Sequence, residues 1–272
     1  MRRIDLSGVE GERWVPETLS GVGALVLAGS SGRIDSARAE LLARQGVIAE
    51  SIRWFGGPGQ HVGPWEIPLE LFIGRIAELK RDCDRVLVLG TSFGAEAALL
   101  TGCHTSEVDA VVGFAPSDVA WAGVRPDGTQ TSHWTLGGAP LPFVPLDEDW
   151  VSGDDVPAFV GLYEASRKRS PELVAEAAIA VEDIKEVVLV AGGDDQVWPA
   201  LAMAAAIESR RTTHGLTTTL VSDPDAGHRT IPPGEPAVTA GIRMRRGGTE
   251  NADRNLGTAA WAQIQALLRA GR

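Results

Sequence analysis

The stretch that decides the fold is RVLVLGTSFGAEAALL, residues 85–100. Residues 86–89 are a short, continuous apolar run, which is typical of a buried parallel strand. Residues 93–100 are small or apolar and predict a helix directly after it. Between strand and helix lies Gly90-Thr91-Ser92-Phe93-Gly94, which fits the pattern G-x-S-x-G. A strand, a tight glycine turn and a helix in this order predict a nucleophile elbow that presents the Ser92 hydroxyl above the end of the strand.

Strand-like and helix-like segments alternate on both sides of this stretch. We predict strands at residues 24–28, 47–54, 85–89, 108–114, 187–191 and 217–221. We predict helices from Asp35 or Ser36 to Gly46, and at 67–79, 93–100, 201–210 and 258–269. Such alternation predicts an α/β fold with a mostly parallel sheet flanked by helices, and we expect residues 1–272 to form one domain.

One segment departs from the alternation. Residues 120–155 are rich in Gly, Pro, Trp and Asp and show no long periodicity. Loops of this length are uncommon in compact domains, so we expect a lid inserted over Ser92, with Trp134 and Phe143 contacting substrate. The alternative is that these aromatic side chains pack onto the sheet as ordinary core.

The overall composition excludes several classes of protein. The chain has 25 Lys and Arg against 36 Asp and Glu, a net charge of −11, which argues against a nucleic-acid partner. Cys83 and Cys103 are too few for a disulfide scaffold and show no metal-binding spacing. Residues 1–15 lack the apolar segment of a signal peptide, and no run of 18 apolar residues predicts a membrane span. We expect a cytoplasmic protein without a metal or an organic cofactor.

A serine hydroxyl needs a base to act as a nucleophile. Asp194 and Asp195 follow the strand at 187–191, and His228 follows the strand at 217–221. The order serine, acid, histidine is that of the α/β-hydrolase fold, in which ligands bind beyond the carboxyl ends of the strands. We predict Asp195 as the acid and His228 as the base, whereas Asp194 is better suited to capping the following turn.

An oxyanion hole in this fold needs two backbone N–H groups. The first is expected from Phe93, at the start of the helix after the nucleophile. The second is expected from the loop Gly29-Ser30-Ser31-Gly32, where Ser30 is the first candidate and Ser31 the second.

Several motifs together resemble the family of acyl-CoA thioester hydrolases and bile acid-CoA:amino acid N-acyltransferases, in its C-terminal hydrolase domain. They are the elbow at 90–100, WFGGPG at 54–59, EIPLELF at 66–72, SHWT at 132–135 with PLPF at 140–143, GDDQVWP at 193–199, AGH at 226–228 with IPP at 231–233, and GGTE at 247–250. The likeness covers residues 21–270.

This resemblance implies that Ser92, Asp195 and His228 are a catalytic triad acting on an acyl thioester such as an acyl-CoA. The long animal enzymes carry an N-terminal β-sandwich, whereas residues 1–20 here are too few for one. We therefore expect part of their acyl or CoA site to be missing. The amino-acid transferases of the family use cysteine as the nucleophile, so Ser92 favours hydrolysis over amide synthesis.

The prediction is a serine acyl hydrolase for a small-molecule thioester. The alternatives are a carboxylesterase or lactonase, an acyltransferase to an amine or alcohol, and a non-catalytic binding protein of the same fold; the oligomeric state is left open. Because the chain is acidic, binding the phosphates of CoA needs local cations. One candidate cluster is Arg167-Lys168-Arg169 and the other contains Arg243, Arg245 and Arg246. We predict Arg245 and Arg246 at the mouth of the site; the alternative is solvated surface charge.

Overall fold

The structure, a computed structural model, describes residues 1–237 and 242–270. Its strands in these residues are β1 Arg2–Asp5, β2 Gly11–Val15, β3 Val22–Leu27, β4 Ile48–Ile52, β5 Ile67–Pro68, β6 Arg85–Thr91, β7 Ala110–Phe114, β8 Ala122–Val124, β9 Gln130–Ser132, β10 Trp134–Leu136, β11 Ala139–Pro140, β12 Val187–Gly192 and β13 Thr219–Asp223. Its α-helices are α1 Ser36–Ala43, α2 Glu70–Lys80, α3 Phe93–His104, α4 Val160–Arg169, α5 Pro171–Glu176, α6 Ala200–Thr213 and α7 Glu250–Arg269.

The central sheet has the strand order β1-β2-β4-β3-β6-β7-β12-β13. From β4 to β13 all neighbouring strands pair in parallel, which confirms the predicted mostly parallel sheet. The antiparallel edge strands β1 and β2 were not predicted. All four residues of β1 are exposed, so that strand carries none of the apolar alternation by which a strand is recognised.

Helices cover both faces of the sheet. The buried side chains of α1 and α7 share one apolar core with residues of the sheet, and those of α2, α3 and α6 share the other. In α7 the predicted stripe of Trp261, Ile264, Leu267 and Leu268 is buried, as its spacing indicates. No helix in the described residues is long and apolar enough to cross a membrane.

The predicted insertion leaves the sheet after β7 and returns at β12, so it is longer than residues 120–155. It contains the short strands β8 to β11 and the helices α4 and α5. Trp121 and Trp134 are fully buried, and Trp134 stacks on Trp54 with ring centroids 5.4 Å apart. For these two residues the structure supports the core-packing alternative, because apolar rings without helical or strand periodicity can still fill the space beside a sheet. Phe143 is half-buried.

Candidate active site

The turn at Ser92 has the geometry expected of an elbow. β6 ends at Thr91 and α3 begins at Phe93, while Ser92 between them has φ 58° and ψ −124°. A positive φ at a residue with a Cβ costs about 1–3 kcal/mol and persists only where the surroundings hold it. Here the Ser92 N–H donates to the carbonyl of Phe114 in β7 at 2.8 Å. The sheet therefore helps to hold the strained turn at its carboxyl edge.

The two glycines of the motif are required by close packing. A Cβ at Gly90 would collide with the backbone of Gly94, and a Cβ at Gly94 would collide with the carbonyl oxygen of Ala28. The first turn of α3 thus lies directly against the end of β3. This contact brings the loop after β3 next to the serine, and a Cβ on Gly29 would lie 3.4 Å from the Ser92 Cβ.

Asp195 and His228 form a buried pair. Oδ2 of Asp195 lies 2.7 Å from Nδ1 of His228, and the two residues are 7% and 9% exposed. The other carboxylate oxygen, Oδ1, accepts the N–H groups of Val197 at 2.8 Å and Trp198 at 3.3 Å. One oxygen is thus fixed by the backbone of its own loop while the other orients the imidazole.

Asp194 points away from this pair. Its side chain is exposed, and Oδ2 accepts the N–H of Gly248 at 2.7 Å. Its Oδ1 accepts from the Gln196 side chain at 3.1 Å. The expectation that Asp194 caps the following turn is wrong, because the backbone N–H groups of that turn go to Asp195. Asp194 instead binds the Gly247-Gly248 segment, which is distant in sequence, and holds it against the loop that carries Asp194 and Asp195, the acid loop.

The segment around Gly247 and Gly248 is part of the site, although the sequence alone predicted no role for it. The carbonyl of Arg246 accepts the His228 N–H at 2.9 Å. Asp253, in the first turn of α7, accepts the Gly227 N–H at 2.8 Å, and burial raises the pKa of its carboxyl. Thr249 caps the same helix by accepting from Ala252. The start of α7 therefore fixes the loop that carries His228, the histidine loop. The GGTE motif at residues 247–250 was the only sequence pattern that marked this part of the site.

A buried ion pair ties the elbow to a helix on the opposite face of the sheet. Arg38 in α1 donates to both carboxylate oxygens of Glu235, at 2.9 and 3.0 Å, and to Thr91 Oγ1 at 2.8 Å. Thr91 precedes the nucleophile and Glu235 follows the histidine loop. No sequence pattern predicts this link, because a single arginine in a helix carries no signal of its distant partners.

Aromatic rings connect the serine and histidine ends of the site. Phe93 packs 5.4 Å from Trp198, and Trp198 lies 6.0 Å from His228, measured between ring centroids. Ser92 is 7% exposed, so the nucleophile candidate is nearly enclosed. Ser92, Asp195 and His228 all follow the carboxyl ends of parallel strands, which places them at one edge of the sheet.

The candidates for the oxyanion hole lie beside the elbow. α3 begins at Phe93, so the N–H of that residue has no carbonyl within the helix to donate to. In the loop after β3, the Gly32 N–H donates to the Gly29 carbonyl and closes a turn around the exposed Ser30 and Ser31. The roles of Phe93 and Ser30 stay predictions.

Trp134 donates a hydrogen bond to the buried carboxyl group of Glu96. Its Nε1 donates to Glu96 Oε1 at 2.6 Å, and the N–H of Trp121 donates to the same oxygen at 2.9 Å. Burial raises the pKa of Glu96 to about 8, against the lowering effect of these two hydrogen bonds. Contact of Trp134 or Phe143 with substrate stays a prediction. In the structure, the buried ring of Trp134 packs the inserted segment.

Trp134→Ala is accordingly expected to destabilise the fold by about 3–5 kcal/mol, because it leaves a large cavity and removes a donor from Glu96. Urea unfolding followed by fluorescence measures the loss. Phe143→Ala is the comparison, since its ring is only half-buried and should cost much less. Equal stability losses for the two variants would contradict the core assignment of Trp134.

No three His, Cys, Asp or Glu side chains gather as a metal site in residues 1–237 and 242–270. The thiols of Cys83 and Cys103 are free, and burial raises their pKa values to about 11 and about 12. Both stay protonated at neutral pH, so neither is activated as a nucleophile.

Solved structures similar to the chain share its fold at low sequence identity. They include the ferulic acid complex of Est1E from Butyrivibrio proteoclasticus, at 14% identity, with 98% of each chain covered and a TM-score of 0.51. An esterase domain from Rhodothermus marinus matches at 14% identity, 98% and 97% coverage and a TM-score of 0.51. The acylaminoacyl peptidase of Pyrococcus horikoshii matches at 10% identity and a TM-score of 0.58, over 98% of this chain and 40% of that one.

No curated protein sequence is similar enough to count as a relative. The model of the BAAT and acyl-CoA thioester hydrolase C-terminal family matches residues 75–270, which include the elbow, the acid loop and the histidine loop. Because that match spans well over half of the sequence and the fold agrees with it, the chain belongs to the BAAT and acyl-CoA thioester hydrolase C-terminal family of α/β-hydrolases.

Proposed function

We propose that the protein is a serine hydrolase that cleaves an acyl thioester, with an acyl-CoA as the first candidate substrate. The observation that carries the proposal is the buried Asp195–His228 pair, 2.7 Å apart, at the same edge of the sheet as the strained elbow serine. Membership of a family of acyl-CoA thioester hydrolases supports the thioester.

In the proposed mechanism, Ser92 Oγ attacks the acyl carbonyl carbon while His228 Nε2 accepts the hydroxyl proton. The negative charge that develops on the carbonyl oxygen is stabilised by the N–H groups of Phe93 and Ser30. The carbon–sulfur bond then breaks, and the thiol leaves with the proton returned from His228. A thiolate is a good leaving group, so little acid catalysis is needed at this step.

The acyl-enzyme is hydrolysed by the reverse sequence. A water molecule gives a proton to His228 Nε2 and attacks the acyl carbon. The carbon–oxygen bond to Ser92 then breaks as His228 returns the proton to Ser92 Oγ, which releases the free acid and restores the enzyme. Asp195 accepts the Nδ1 hydrogen bond throughout and stabilises the imidazolium. Because Val197 and Trp198 hold the other carboxylate oxygen, the aspartate needs little reorganisation during the reaction.

Positively charged residues of the histidine loop support an anionic leaving group. Arg229 directly follows His228, and the backbone carbonyl of Arg246 accepts the His228 N–H at 2.9 Å. Burial, together with the like charges of Arg246 and Arg33, lowers the pKa of Arg229 to about 10. Arg245 is exposed, 3.2 Å from Asp154, and its charge is partly balanced. The other predicted cluster is more fully paired, with Arg167 on Asp118 and Arg169 on Asp147 and Asp149.

Charge reversal of the pair, Arg245→Glu with Arg246→Glu, is expected to raise KM for an acyl-CoA several-fold, and less so at high salt. Of the single variants, Arg246→Glu should carry most of the effect. A small neutral ester should show a much smaller change in KM. Arg44→Glu, at the exposed residue directly after α1, is the control. Equal KM changes for both substrates would remove these arginines from the thiol-binding site.

The alternative is hydrolysis of oxygen esters, or acyl transfer, by the same triad. A panel of acyl-CoAs and simple esters, with free thiol and free acid measured with and without amine or alcohol acceptors, distinguishes them. The proposal predicts stoichiometric thiol and acid without dependence on an acceptor. Turnover of esters alone, or product that requires an acceptor, would overturn it.

A further inference from the structure

His133 is a buried histidine beside the nucleophile that the proposed mechanism does not use. Its ring stacks on Phe93 with centroids 4.4 Å apart and planes at 23°, and the residue is 3% exposed. Phe93 directly follows Ser92 and is the candidate for one oxyanion N–H. His133 therefore lies against the residue that bounds the reacting carbonyl.

Both ring nitrogens of His133 lack a hydrogen-bond partner among the described residues. The indole nitrogens of Trp54 and Trp198, both buried, also lack an acceptor in that part of the chain. Burial lowers the pKa of His133 to about 3, so its imidazole is neutral at neutral pH and offers one donor and one acceptor. Buried polar groups nearly always have a hydrogen-bond partner. We therefore expect these nitrogens to bind a polar group that is not part of the protein.

These rings lie between the segments that are proposed to bind the acyl carbonyl. The backbone N–H of Trp54 donates to the Gly32 carbonyl at 3.0 Å, which ties Trp54 to the loop after β3. The Trp54 ring lies 6.2 Å from the His133 ring, measured between centroids. On the other side, Phe93 packs against Trp198, next to His228. The rings that carry the unpaired nitrogens thus form a continuous series of contacts through Phe93, from the loop after β3 to His228.

We propose that His133, with the indole N–H groups of Trp54 and Trp198, forms a subsite for an acyl group that carries an uncharged oxygen, a hydroxyl or oxo group close to the reacting carbonyl. This inference rests on the proposed function. A hydroxyl both donates and accepts, which suits a neutral imidazole, and its second lone pair suits an indole N–H. An anionic acyl group is disfavoured because His133, Trp54 and Trp198 are all buried, and an unpaired charge is costly away from water.

The test compares 3-hydroxybutyryl-CoA with butyryl-CoA, which differ only in one hydroxyl group. The readout is the ratio of their kcat/KM values. For the unaltered protein we expect a ratio of at least about ten in favour of the hydroxylated substrate, because a site built around a hydroxyl discriminates against the analogue that lacks it. His133→Phe keeps a flat ring against Phe93 and removes both nitrogens, so the ratio should fall to about one.

His133→Asn, which keeps a donor and an acceptor, should retain part of the preference. His214→Phe, at the exposed residue directly after α6, is the matched control and should keep the original ratio. If His133→Phe does not fold, Trp198→Phe removes one donor while keeping a ring, and the ratio should still fall. An original ratio near one, or a ratio that these substitutions leave unaltered, would overturn the subsite and assign the nitrogens to internal water.

Failure of the proposed function gives a different result. If neither thioester is cleaved but 4-nitrophenyl esters of the same two acids are, the thioester proposal is wrong and the ester ratio tests the subsite. Calorimetric binding of 3-hydroxybutyramide and butyramide makes the same comparison without turnover. Tighter binding of the hydroxylated amide that is lost in His133→Phe supports the subsite, and equal binding contradicts it.

Discussion

Ser92→Ala is expected to lower kcat by at least about 10³-fold, because the proposed mechanism has no second nucleophile. The melting temperature should change little. The hydroxyl is a small part of a residue whose position is fixed by its backbone, through the bond from its N–H to Phe114 and the packing of Gly94 on Ala28. Steady-state thiol release and thermal unfolding measure the two quantities.

Ser209→Ala, an exposed position on α6, is the control for a lost serine hydroxyl and should keep the original rate. A Ser92→Ala protein that retains about a tenth of the original kcat would exclude a covalent serine mechanism. A large fall in melting temperature with unaltered kcat would make Ser92 a structural residue of the turn.

Asp195→Asn is expected to lower kcat by about 10⁴-fold, the effect of the same change in a well-studied serine protease triad. An amide at this position can favour the wrong imidazole tautomer, since its NH2 group would face Nδ1. Asp194→Asn is the matched variant on the neighbouring residue. It weakens the bond to the Gly248 N–H and should cost at most about 2 kcal/mol of stability with little loss of rate.

Measurement of kcat and of the unfolding midpoint for both aspartate variants decides the assignment of the acid. The geometry predicts a large loss of kcat for Asp195→Asn. For Asp194→Asn it predicts mainly a lower unfolding midpoint. If the order of the two kcat losses is reversed, Asp194 is the orienting acid and the 2.7 Å contact between Asp195 and His228 is not catalytic.

The sequence was most informative where local patterns and catalytic chemistry coincide. The apolar run before Ser92 and the small residues after it predict strand, turn and helix, and the structure has all three. Asp195 and His228 could be chosen because both follow predicted strands, and parallel strands bring their carboxyl ends to one edge. The choice between Asp194 and Asp195 rested on their places in one loop, and only the contact to His228 distinguishes them.

Other features depend on contacts between residues far apart in the chain. The Arg38–Glu235 pair joins residues separated by 197 positions, and no local pattern predicts it. The sequence prediction made the inserted segment too short, because α4 and α5, which follow residue 155, were not predicted. The sequence does not predict His133 as a site residue, because it follows no predicted strand of the central sheet. Its interest comes from burial without a partner, which only the structure shows.

The covalent serine mechanism is tested most directly by intact-protein mass spectrometry, with peptide mapping, of samples quenched during turnover of an acyl-CoA. We predict a mass increase equal to the acyl group, located on Ser92, which forms as free thiol is released and is absent from the Ser92→Ala protein. Thiol release with the acyl group on another residue, or labelling that persists in Ser92→Ala, would contradict it.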